Sequence, residues 1–136
     1  MELMENMLLS YQDDKTIRVV YCDRLSSIIY AIDMKGTRWP YVIAKDTLLS
    51  DFQKEKIKTL DVDPFIRNVD EDKLSIATMN RRDRAWEIVS FVFEQLDSEV
   101  LIFRSKYREE AIKQTIDFYN VNYTTVKNYL VRYWQG

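Results

Sequence analysis

The clearest alternation of apolar and polar positions lies between residues 105 and 136, and it predicts two helices joined by a tight turn. In the first helix, apolar or methyl-bearing side chains recur every three or four residues and form one face. Ser105 is the predicted N-cap of this helix, and Asn122 is the predicted N-cap of the second. Between them, Asn120 supplies the left-handed residue that a short turn needs, because Asn tolerates that conformation better than most residues.

The second helix of this pair has two chemically different faces. Val126, Leu130 and Tyr133 recur at i, i+4 and i+7, which predicts the inward face. The opposite face carries small polar, amide and basic side chains, which are suited to reading base edges in the major groove. The pattern predicts a helix-turn-helix, although two amphipathic helices with a short turn also occur in proteins that never bind nucleic acid. This outer face consists of Thr124, Lys127, Asn128, Val131 and Gln135, with Arg132 on its flank.

The distribution of charge favours the nucleic-acid interpretation. The whole chain has a net charge of −2, which argues against a protein that coats DNA through bulk positive charge. Residues 104–136, however, hold six basic residues and three acidic ones, and phosphate neutralisation needs a local excess of this kind. The candidate DNA-binding residues are Tyr123, Thr124, Lys127, Asn128, Val131, Arg132, Arg104, Lys106 and Arg108.

The first part of the chain has the two-residue alternation of β-strands. Residues 7–44 contain four such runs separated by polar turn residues, and they predict a small antiparallel meander. Pro40 interrupts the fourth run and places it at an edge of the sheet. Apolar residues then recur at helical spacing from Asp46, the predicted cap, to about Lys58, and this helix would cover one face of the sheet.

The turn-rich, acidic segment 61–75 is interpreted as the connection between two domains. After it, the pattern predicts a helix from Asn80 to about Leu96, with Trp86 in the bundle core or at its rim. Residues 1–76 hold 11 basic and 14 acidic residues, whereas residues 77–136 hold nine and eight. The predicted fold class is α+β: a β-meander with a helix in residues 1–75, then a three-helix helix-turn-helix bundle in residues 76–136.

Several kinds of chemistry are excluded by composition. The chain of 136 residues has no histidine and a single cysteine, Cys22, which rules out Ser-His, Cys-His and structural zinc sites. Its two glycines cannot form a phosphate-binding glycine loop. We expect no cofactor, no metal and no small-molecule substrate. No apolar run approaches the roughly 20 residues of a membrane span, so we expect no membrane association and a cytoplasmic location.

The C-terminal helix pair also resembles a known family. Val121, Asn122, Thr125-Val126, Tyr129-Leu130 and the run 132–135 (Arg-Tyr-Trp-Gln) follow one another without gaps. This succession is similar to the corresponding region of TnsB, the transposase of Tn-type heteromeric transposons, and of its TniA and phage Mu relatives. The chain departs from the family in two places. Val131 stands where a basic residue is frequent, and Asn122 replaces a capping hydroxyl. The order of meander and helix also resembles the small N-terminal domain of TnsB.

The resemblance implies a specific function. Members of this family cut and join DNA with a metal-dependent RNase-H-like core that carries three carboxylates, downstream of their N-terminal DNA-binding domains. The chain would then be a non-catalytic N-terminal part of a transposase that recognises double-stranded DNA at transposon-end repeats. Two alternatives remain open. One is a protein-interaction module in which residues 39–41 (Trp-Pro-Tyr) dock another transposition subunit, and the other is a helix-turn-helix transcription regulator.

Overall fold

A computed structural model of the chain describes residues 2–23, 25–61 and 75–136. The described residues fall into two compact units. The first holds the residues before 62 together with Trp134–Gly136, and the second holds residues 75–133. The proposed connection at 61–75 lies almost wholly outside the described residues, so it stays a prediction. The α+β class is confirmed, since strands with one helix precede a run of helices.

The first unit is built on an antiparallel sheet of five strands in the order β4-β3-β2-β1-β5. Alternating side chains place Leu9, opposite Ile17, and Val19, opposite Ala31, in one core. The prediction that the fourth strand lies at an edge is confirmed, and that strand begins directly after Pro40. The strands are β1 (Leu8–Tyr11), β2 (Thr16–Cys22), β3 (Ile28–Asp33), β4 (Tyr41–Ala44) and β5 (Ile57–Leu60).

The fifth strand corrects the predicted helix in this unit. Helix α1 covers only Lys45–Gln53, and its N-cap position is Ala44 rather than Asp46. Glu55 then adopts a left-handed conformation with φ 58°, and the chain turns back into β5, which pairs with β1. Ile57 therefore enters the core from a strand, although its spacing also matched the helical pattern. Leu48 is the fully buried residue that α1 contributes to this core.

Residues 39–41 are tied into the first unit. The indole of Trp39 meets that of Trp134 edge-on at 6.2 Å, and Pro40 is buried. The Tyr41 hydroxyl donates a hydrogen bond of 2.6 Å to Asp33. Burial, and then this hydrogen bond, raise the pKa of Tyr41. These contacts hold the tripeptide against the edge of the sheet.

The second unit is helical. Helix α2 (Ile76–Glu94) begins before the predicted Asn80, because Ser75 caps it by accepting from the Thr78 amide at 3.1 Å. A short 3₁₀ helix (Glu99–Phe103) follows, and then α3 (Ser105–Tyr119) and α4 (Tyr123–Gln135). Ser105 is the first residue of α3 and Arg104 occupies the N-cap position, so the prediction of Ser105 as N-cap was wrong.

The core of the second unit draws one or more buried side chains from each of its helices. Thr115 is fully buried, and its hydroxyl donates to the Ala111 carbonyl at 2.8 Å. Tyr133, predicted to face inward, is instead 46% exposed, and Trp86, predicted in the bundle core or at its rim, is 59% exposed. They contact each other, with ring centroids 5.8 Å apart. The buried apolar residues are Ile88, Val89, Val92, Ile102, Ala111, Ile112, Val126, Leu130 and Val131.

Candidate nucleic-acid interface

The turn between α3 and α4 has the predicted local structure. Asn120 adopts a left-handed conformation, with φ 55° and ψ 45°, and its amide donates to the Ile116 carbonyl at 2.8 Å. The side-chain oxygen of Asn122 accepts from the Thr125 amide at 2.8 Å, which is the geometry of an N-cap. These two asparagines end one helix and begin the next within three residues. They therefore fix the direction in which α4 leaves the turn.

The first two turns of α4 carry the polar residues predicted for base reading. Thr124 is exposed, and Lys127 and Asn128 are half-buried. On the other side of the helix, Val126 and Leu130 are fully buried, as predicted. The helix therefore has one side anchored in the core and one side carrying a hydroxyl, an ammonium and an amide.

Tyr123 lies at the start of α4 with 38% of its surface exposed. Its hydroxyl donates to the Glu109 carboxylate of α3 at 2.8 Å. This hydrogen bond joins the two helices across the turn. Tyr123 is therefore at the edge of the polar face, held by α3.

Val131 does not lie on the exposed face, and its prediction as a surface contact was wrong. It is only 1% exposed. The buried surface of α4 widens in its last turns, because Leu130, Val131 and Trp134 are all withdrawn from solvent. Outward polarity is thus confined to the early part of the helix and to Arg132, which is exposed.

Arg108 also differs from its predicted role as a phosphate contact. It is 7% exposed, and its Nη1 donates to the Ile102 carbonyl at 3.3 Å. Its Nε lies 3.9 Å from the Glu109 carboxylate. Burial lowers the pKa of Arg108, and the Glu109 charge opposes that effect. The side chain joins α3 to the preceding 3₁₀ helix and is not available to a phosphate backbone.

The neighbouring basic residues remain at the surface. Arg104 and Lys106 are exposed at the start of α3, and the Lys106 ammonium lies 5.9 Å from the centre of the Tyr107 ring. The structure therefore leaves Arg104, Lys106 and Arg132 as exposed cations of the predicted phosphate-binding set. Lys127, which precedes Arg132 on α4, is half-buried.

A groove between α2 and α4 was not predicted from the sequence. It has a volume of about 510 Å³. Two arginines near the start of α2, Arg81 and Arg82, line this groove. The signal in the sequence was the recurrence of basic and aromatic residues at helical spacing from Thr78 to Val89. The lining residues are Thr78, Arg81, Arg82, Ala85, Trp86, Val89, Tyr129, Arg132 and Tyr133.

The described residues show neither a metal-ligand cluster nor a helix that could span a membrane. Within residues 2–23, 25–61 and 75–136, no group of three or more Cys, Asp or Glu residues is placed to hold a metal ion. In the same part of the chain, no helix is both long enough and apolar enough to cross a bilayer.

The fold and this surface define a class: an α+β protein whose second unit carries a capped helix pair with exposed polar and basic side chains. Residues 82–136 match the family model of the TnsB second domain. This segment includes α3, α4 and most of α2, and it is similar to that domain. The match confirms the resemblance and supports a TnsB-like transposase N-terminal region. A search of curated proteins found no match.

Proposed function

We propose that residues 105–135 form a helix-turn-helix that binds duplex DNA sequence-specifically at a transposon end. The observation that supports this proposal is that α4 has one side buried in the core and one side with polar residues. Thr124, Lys127 and Asn128 lie in its first two turns, and the Asn122 cap fixes where those turns begin. A rigidly held helix of this kind places its N-terminal side chains against base edges in the major groove.

The residues of this surface have distinct roles in the proposal. Asn128 suits an adenine edge and Lys127 a guanine edge, and a good contact of this kind discriminates by about 1–3 kcal/mol. Thr124 suits several bases, and Tyr123 borders the face. Arg104, Lys106 and Arg132 bind phosphates, which fixes the register of the protein on DNA and carries no sequence information directly. We assign no role at the surface to Val131 or Arg108, because both are buried.

We place DNA cutting and joining outside this chain. The match covers a TnsB second domain, and the resemblance puts the catalytic carboxylates of such transposases in a separate RNase-H-like core. The proposed contribution of residues 105–135 is recognition of the DNA end on which that core acts.

The proposal is tested by fluorescence anisotropy with a labelled end repeat of the source element and a shuffled duplex of equal length. We expect Lys127→Ala to weaken binding to the end repeat by about 5- to 100-fold and to leave the shuffled duplex nearly unchanged. Arg132→Ala should weaken both duplexes alike, because phosphate contacts are independent of sequence.

Lys113→Ala is the matched control, since Lys113 is an exposed lysine of α3 outside the proposed face. Thermal unfolding followed by circular dichroism checks that each variant is folded. Equal affinity of the unaltered protein for both duplexes, or an unchanged preference in Lys127→Ala, would overturn the assignment of α4.

A further inference from the structure

The groove between α2 and α4 has the dimensions of a ligand site. Its volume of about 510 Å³ falls within the range of about 300–1,000 Å³ that is usual for such sites. On α2, Arg82, Trp86 and Val89 succeed one another at helical spacing and face Tyr129 and Tyr133 of α4 across the groove. Its walls therefore come from two regular helices rather than from loops.

The lining combines positive charge with exposed aromatic surface. Arg81, Arg82 and Arg132 contribute three guanidinium groups, and among the residues that the structure describes no carboxylate lines the groove. Trp86 is 59% exposed, although it is a large apolar side chain on a regular helix. A groove of this composition complements an anion that also has a flat apolar face.

Arg84, also near the start of α2, lies on a different face of the helix from the groove. Its guanidinium lies 4.8 Å from the centre of the Tyr119 ring, and its Nη1 lies 3.8 Å from the Glu87 carboxylate. It does not line the groove. The basic residues at the start of α2 are therefore divided between two faces, and Arg81 and Arg82 share the groove with the exposed indole of Trp86.

We propose that this groove binds an unpaired nucleotide, with the base stacked on Trp86 and the phosphate bound by Arg81 and Arg82. Every base offers a π-face, and proteins that bind single strands combine basic grooves with aromatic platforms of this kind. Guanidinium groups suit phosphate because they donate two parallel hydrogen bonds. The site is distinct from the base-reading face of α4 and goes beyond duplex recognition.

An acidic peptide is the competing occupant, and the lining suits it less well. An extended peptide needs partners for its backbone amides and carbonyls. Among the residues that the structure describes, the polar groups of the lining besides the arginines are those of Thr78, two tyrosines and the indole N–H of Trp86. The Thr78 hydroxyl is already within 2.8 Å of the Ser75 hydroxyl. A nucleotide needs no such partners, because its base can stack on the aromatic ring and its phosphate can bind the guanidinium groups.

The test uses two fluorescein-labelled strands of equal length and charge, a short oligothymidine and an abasic strand, in anisotropy titrations against the full chain. We expect tighter binding of oligothymidine, because only this strand can stack. Trp86→Ala should weaken that binding by about 5- to 100-fold and bring it level with the abasic strand. Trp86→Phe should retain part of the preference.

Arg81→Gln combined with Arg82→Gln should weaken both strands, because both carry phosphates. Lys113→Ala again serves as the charge control and should change neither. Circular dichroism of each variant separates loss of the site from loss of the fold, and Trp86→Phe preserves an aromatic ring if Trp86→Ala proves unstable.

Equal binding of the two strands by the unaltered protein would overturn the proposal, since charge alone would then explain it. So would an oligothymidine preference that survives in Trp86→Ala, or binding of a fluorescein-labelled aromatic, glutamate-rich peptide where oligothymidine fails to bind. Lys127→Ala distinguishes the two proposals, because it should alter duplex preference and leave oligothymidine binding intact.

Discussion

Arg104, Lys106 and Arg108 are similar in chemistry and close in sequence, yet they have different environments. The first two are exposed, whereas Arg108 lies on the side of α3 that faces the 3₁₀ helix and donates to the Ile102 carbonyl. A guanidinium group withdrawn from water needs such acceptors, because burying an unsatisfied charge is costly. Arg108 therefore belongs to the structure of the second unit.

This placement gives a stability prediction. Replacing Arg108 by Met removes the charge-assisted hydrogen bond to the Ile102 carbonyl, and we expect the free energy of unfolding to fall by about 1–3 kcal/mol. Lys106→Met is the control, because Lys106 is exposed and should change stability by less than about 0.5 kcal/mol. Urea unfolding followed by circular dichroism measures both. Equal stabilities of the two variants would contradict the structural role of Arg108.

Helix α4 is stabilised at its first turn by a side-chain cap. The first amides of a helix have no partner within the helix, and the Asn122 side chain satisfies the amide of Thr125. Asn120 makes the preceding reversal possible by adopting a left-handed conformation. Both residues act locally, and for that reason the turn could be read from the sequence.

The cap of α4 is therefore a target for mutation. Asn122→Ala should destabilise the protein by about 1 kcal/mol, because it leaves the Thr125 amide unpaired. Asn122→Ser restores an oxygen acceptor at the same position and should recover most of that loss. Thermal unfolding of the two variants provides the comparison. A Ser variant as unstable as the Ala variant would show that the cap is not the origin of the effect.

Other elements could not be bounded from the sequence. Residues up to Lys58 continued a helical pattern, but α1 ends at Gln53 and Ile57 enters β5, because pairing with β1 overrides the local spacing. The predicted start of α2 was too late, because its cap lies before the point where the apolar pattern begins. A cap at Ser75 lets the helix begin at Ile76, before its regular apolar face starts.

For the whole molecule, the important property is the uneven distribution of charge. Residues 1–76 have three more acidic than basic residues, whereas residues 77–136 have one more basic than acidic. The proposed binding to DNA would then depend on a local group of cations rather than on the net charge of −2. The division of the chain into two domains between residues 75 and 76 remains a prediction.

The salt dependence of duplex binding tests whether this local group of cations contacts DNA phosphates. With phosphate contacts from Arg104, Lys106 and Arg132, the logarithm of the duplex binding constant should fall with that of salt concentration at a slope of about −2.7. A fourfold increase in salt would weaken binding roughly 40-fold. Anisotropy titrations at several salt concentrations give the slope. A slope near zero would favour a protein partner and contradict the phosphate contacts.

The sequence alone determined what depends on near neighbours: the asparagine turn, the inward Val126 and Leu130, the strand alternation and the family resemblance. Tertiary structure decided which similar residues stay at the surface. It buried Arg108 and Val131, exposed Trp86 and Tyr133, and made a strand of Ile57–Leu60. The physical reason is that periodicity assigns a residue to a face of its own element, whereas burial depends on parts of the chain that are distant in sequence.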